Sequence, residues 1–107
     1  MTERPLSPRL ERYVIAHYPG RVAEVIGLLQ SVELPHIDRQ GNAEGRERVQ
    51  AAMLAFARDD ADRLIEIAVL AETDWRDVLM ADPRFAREGW EEHVTSLLGP
   101  AAPRPHD

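Results

Sequence analysis

His36 and Asp38 are the first residues whose types and spacing could do chemistry, because a histidine two positions from a carboxylate can act as a base or a metal ligand. They lie in the segment 34–42, which carries Pro35 and Gly41 near its ends and no hydrophobic period, so it reads as the longest loop within the chain. Two residues do not make a site, and a polar loop residue that turns or caps explains them equally well. The acids Asp59, Asp60, Asp62 and Glu66 form the densest oxygen cluster, of a kind that magnesium or calcium would take. A calcium loop counted from Asp59 needs glycine at its sixth position and glutamate at its twelfth. Leu64 and Leu70 stand there instead. Capping and the helix dipole account for carboxylates at a helix start without any ligand.

The other chemistries lack an anchor. Ser7, Ser31, Thr73 and Ser96 are the hydroxyl candidates, and none sits in a Gly-x-Ser-x-Gly elbow. His17, His93 and His106 show neither the spacing nor the flanking glutamate of a helical zinc motif. His17 falls on the apolar side of its helix and reads as a core histidine. With no cysteine there is no thiolate nucleophile, no thiolate metal site and no disulfide. With no lysine there is no phosphate-cradling Gly-Lys-Ser or Gly-Lys-Thr loop, and no cofactor pattern is present. The expectation is therefore no enzyme, with no catalytic, cofactor or metal residue.

Charge narrows the partners. The net charge of −6 arises entirely in residues 43–107, where eight arginines face fourteen acids. Nucleic-acid binding calls for clustered cations, and the acidic half would be repelled. The one basic stretch, 39–58, holds Arg39, Arg46, Arg48 and Arg58; it supports an alternative reading as a small regulatory nucleic-acid binder, but has no aromatic before Phe56 to stack bases. No apolar run is long enough for a membrane span, and Met1-Thr2-Glu3-Arg4-Pro5 is unlike a secretory signal, so a cytoplasmic protein without membrane contact is expected.

The elements that must position these residues are helices. Apolar residues recur at helical period and no stretch alternates, which predicts an all-α, compact bundle of five to six short helices in a single domain, 1–99, followed by a disordered Pro-rich tail, 100–107. Ser7 and Pro8 open the first helix, with Leu10, Tyr13, Val14, His17 and Tyr18 on one face, and Pro19-Gly20 end it. A second helix over about 21–32 should pack antiparallel to it. Asn42 caps a third, about 43–58, with Val49, Ala52, Met53 and Phe56 inward. The fourth, about 61–72, has Leu64, Ile65, Ile67, Ala68, Val69, Leu70 and Ala71 around most of its circumference, which predicts the central helix of the bundle. Its narrow polar stripe, Asp62, Arg63 and Glu66, contains Leu70, which needs cover. A short fifth helix begins near Asp74, and Asp82-Pro83 start the last, interrupted at Gly89 and ended by Gly99-Pro100.

The run Arg46-Glu47-Arg48-Val49-Gln50-Ala51-Ala52-Met53-Leu54, with Asp59-Asp60 and Asp74-Trp75-Arg76-Asp77-Val78-Leu79, resembles short uncharacterised bacterial all-helical proteins over the middle third of the chain. That resemblance brings no activity, cofactor or site residue with it.

Function is thus expected in the interaction class: a self-associating or protein-binding helical module, with a homo-oligomer or a protein as partner. The residues expected to carry it are Val69 and Leu70, which the small bundle would struggle to bury, with Trp75, Arg76 and Trp90 as further interaction candidates, although Trp75 shares a helix face with Val78 and Leu79, which favours a core position for it over an exposed anchor.

Overall fold

Ser7 begins the structure as its sequence suggests: the hydroxyl accepts the Leu10 amide at 3.4 Å while Pro8 occupies the first helical position, where no amide is needed. The computed structural model describes residues 5–100. Six α-helices follow one another there: α1 (Pro8–His17), α2 (Val22–Ser31), α3 (Pro35–Arg39), α4 (Ala43–Ala57), α5 (Ala61–Ala81) and, after a 3-10 turn at Pro83–Phe85, α6 (Trp90–Leu98). The fold is all-helical, and its buried residues form one cluster. The expected tail lies, from residue 101 onward, outside the described residues.

Caps set the boundaries. Asn42 accepts the Gly45 amide at 2.8 Å to start α4, and Asp60 accepts the Asp62 and Arg63 amides to start α5. Asp82 caps the 3-10 turn through the Arg84 amide, and Gly89 and Gly99, both at positive φ, bracket α6. Asp74 breaks α5: its backbone leaves helical values, φ −156° and ψ 95°, and its carboxylate accepts the Arg76 amide, so a second helical segment starts where the sequence places one.

Three expectations need correction. The segment 34–42 is not simply a loop. Pro35 at the first position, with Asp38 accepting the Leu34 amide, winds it into α3 and turns Ile37 and Leu34 into the core. His17 is not a core histidine; it is exposed, stacked on Tyr13 and paired with Asp59 at 3.1 Å, because α1 buries only the Leu10, Val14 and Tyr18 line.

The third correction concerns the centre of the bundle, which is α4 and not the helix over 61–72. α4 packs against α3, α5, α6 and the 3-10 turn, and buries Gly45, Arg46, Val49, Gln50, Ala51, Ala52, Met53, Leu54 and Ala57. Small residues let the neighbours approach closely, and its buried polar side chains, Arg46 and Gln50, are hydrogen-bonded to the end of α2, so apolar content alone misjudges it. α5 presents Ala61, Leu64, Ile67, Ala68 and Ala71 to this helix and turns Ile65 and Val69 outward.

Candidate functional site

Of the residues singled out in the sequence, Val69 is the most exposed apolar one, at 62%. Leu70 is partly buried and packs against the core, so its cover is internal. Trp75 likewise leans on the core, while Arg76 points to solvent and pairs with Asp74 at 3.1 Å. Trp90 stands elsewhere: the Arg48 guanidinium lies 4.7 Å above its ring, in a groove lined by α1, α4 and α6. The five residues therefore do not form one surface.

Val69 instead belongs with a residue the sequence reading passed over. Ile65, 42% exposed, sits one turn earlier, about 40° round the helix. It lines a shallow cleft between α2 and α5 with Leu28, Val25, Ala61 and Glu24. Around this strip Glu24, Glu33, Asp62, Glu66 and Glu72 are all exposed, and the cation Arg21 is held by Glu24 and Asp62. Spacing would have found it: Ile65 and Val69 both point away from the Leu64, Ile67, Ala68, Ala71 face.

His36 and Asp38 do not cooperate. His36 is exposed, whereas Asp38 turns inward to the guanidinium of Arg46, at 3.0 Å. Arg46, 8% exposed, also donates to the carbonyls of Leu29, Gln30 and Val32, the acceptors left open where α2 ends. Gln50 adds a bond to Leu29 at 3.1 Å. Arg48 donates to the Phe85 carbonyl at 2.6 Å. Arg9 grips Glu47 with two bonds, 2.9 and 2.6 Å, and reaches the Gly99 carbonyl at the end of α6. Burial pushes the Glu47 carboxyl up, but Arg9 and the Ser7 hydroxyl outweigh it and hold it below its ordinary range. The stretch 39–58 consequently offers no continuous cationic face.

A second concavity has no counterpart in the sequence reading. Tyr13 of α1, Ala52, Ala55 and Phe56 of α4, Arg58, Asp59 and Arg63 around the α4–α5 turn, Asp82 and Arg84 beyond α5, and His93 and Leu97 of α6 enclose about 640 Å³. At one end Asp82 takes two bonds from the Arg84 guanidinium, both 2.9 Å, and lies 3.2 Å from His93 Nε2, whose ring sits edge-on to Phe85. The Arg84 contact, opposed by partial burial and helped by the Arg84 amide and His93, holds Asp82 down at about 2. At the other end Arg58 and Asp59 are both left-handed, φ 51° and 64°, a conformation that costs a side-chain-bearing residue about 1 kcal/mol. Asp59 holds His17, and the nearby Tyr18 is buried, 3% exposed. Burial, with Tyr13 and Asp59 nearby, pushes that phenol up to about 12. These residues come from four separate parts of the chain, so no local motif announces them.

Among the described residues no three histidine or acidic side chains converge in a way that could hold a metal ion, and no helix is long and apolar enough to cross a membrane. No protein-family model, no curated protein and no solved structure matches the chain, so what its surfaces do has to be read from its own side chains.

Proposed function

We propose that this chain is a non-enzymatic binding module whose α2–α5 face receives a cationic amphipathic helix of a protein partner. The observation that carries the reading is the exposure of Ile65 and Val69 one turn apart, beside half-buried Leu28, within a rim of five acids. A helix laid along such a strip buries its own apolar line at matching spacing, and its basic flanks meet Glu24, Glu33, Asp62, Glu66 and Glu72. Apolar contact supplies the affinity and charge supplies the choice of partner. A second copy of the chain is the less favoured occupant, because it would set the same acids against one another.

A synthetic peptide with leucine and lysine at helical period tests this by calorimetric titration. It should bind the wild type, weaken with rising salt, and bind roughly tenfold more weakly to Val69→Lys. Because Val69 points to solvent, Val69→Lys should melt within about 2 °C of the wild type, as surface changes usually do. Equal affinity for both proteins overturns the reading. A wild-type dimer in sedimentation equilibrium that Val69→Lys abolishes would replace it with self-association.

A further inference from the structure

On the far side of α5 from the apolar strip, the concavity between Tyr13, Phe56, Arg58, Arg63 and Leu97 combines charge and shape in a different way. Arg63 lies about 160° round the helix from Ile65, so the two surfaces share no side chain. Three guanidiniums, Arg58, Arg63 and Arg84, face two carboxylates, Asp59 and Asp82. The carboxylates are engaged: Asp82 by Arg84 and His93, Asp59 by His17. Arg63 instead stacks over the Phe56 ring at 5.2 Å, and neither it nor Arg58 has an ion pair among the described residues. An excess of positive charge in a chain of net charge −6 is thus concentrated at one hollow.

The hollow also has an apolar floor, made by Ala52, Leu54, Ala55, Phe56 and Leu97, and its volume is that of a small-molecule site. The backbone points to the same place. Two consecutive residues with side chains hold left-handed φ at the α4–α5 turn, where glycine would sit without strain, and both line the hollow. A glycine at position 58 would relax the turn and remove a guanidinium.

We infer that this hollow binds a small aromatic oxyanion, its ring on the Phe56–Leu97 floor and its carboxylate or phosphate oxygens between the Arg58 and Arg63 guanidiniums. Guanidinium geometry matches such oxygens with paired bonds, and the partly enclosed setting strengthens them. The binding is independent of the α2–α5 face.

Phenyl phosphate, followed by two-dimensional amide NMR, tests the assignment, with benzyl alcohol and inorganic phosphate as the neutral and ring-free probes. Phenyl phosphate should shift the amides of residues 56–63 and 97, and each of the other two should bind at least roughly tenfold more weakly. Arg63→Gln should weaken phenyl phosphate by a similar factor. Arg58→Gly should do the same while raising Tm, because it relieves strain as it deletes the ligand contact; this separates lost binding from lost folding. Benzyl alcohol binding as tightly as phenyl phosphate, shifts confined to the Trp90 groove, or full affinity in Arg58→Gly would each overturn the inference.

Discussion

Helices α4 and α5 invert what their compositions suggest. α4 carries Glu44, Arg46, Glu47, Arg48 and Gln50 within its first eight residues and yet is the most enclosed element, while the first half of α5 is apolar apart from Asp62, Arg63 and Glu66 and leaves Ile65 and Val69 in solvent. The difference lies in what each helix meets. α2 ends against α4 with three carbonyls unfilled, and a guanidinium is a better neighbour for them than a leucine. α5 meets α4, α2 and the 3-10 turn, and among the described residues its second apolar line, Ile65 and Val69, stays exposed. A central helix is chosen by the polar groups its neighbours leave unsatisfied as much as by its own grease.

Arg46→Met tests that contrast with the largest effect. It takes the guanidinium from the part-buried Asp38 and leaves the Gln30 and Val32 carbonyls without their donor, with Gln50 alone on Leu29, and should cost about 3 kcal/mol or more. Arg63→Met on α5 removes only a half-exposed ring contact and should cost about 0.5 kcal/mol. Urea midpoints compare the two; equal losses would mean that the buried guanidinium does not hold α2 to α4. Next in size is Ala51→Leu. Ala51 is fully enclosed where α4 packs its neighbours, and the added carbons should cost about 2 kcal/mol by forcing the helices apart. Unaltered thermal stability would show slack in a region that the contrast requires to be tight.

The local grammar of the fold was open to reading. Ser7-Pro8, Asn42, Asp60, Asp82-Pro83, Gly89 and Gly99 act within three or four residues of themselves, so the helix ends follow from the chain as written. α3 was hidden because a five-residue helix shows no period and its ends look like a loop's. The burial of Arg46 was hidden for another reason: nothing near position 46 reveals that the open carbonyls of residues 29–32 will lie against it. On the candidate surfaces the outcome divides the same way. Val69 could be picked out from helical spacing alone, and Ile65 with it, whereas the hollow at Arg58 and Arg63 is assembled from α1, α4, α5 and α6 and exists only once they pack.

An effect smaller than that of Arg46→Met or Ala51→Leu lies where α5 ends and lets the chain turn toward α6. Asp82 is held at about 2 against an ordinary 3.8, chiefly by Arg84. A carboxyl whose pKa is lower folded than unfolded stabilises the fold above its unfolded value, and that contribution disappears as pH falls from about 4 toward 2. Because the Asp82 side chain is partly open to solvent, screening reduces the contribution to about 1 kcal/mol. Asp82→Asn should therefore flatten the acid limb of a Tm-against-pH profile while losing little at neutral pH beyond that amount. The part-buried Arg9–Glu47 pair between α1 and α4 also contributes on the acid limb, with Glu47 below its ordinary range, so the flattening in Asp82→Asn should be partial. An acid limb that Asp82→Asn leaves untouched would place the acid sensitivity with α4 and its clamps, and would reduce the end of α5 to a passive turn.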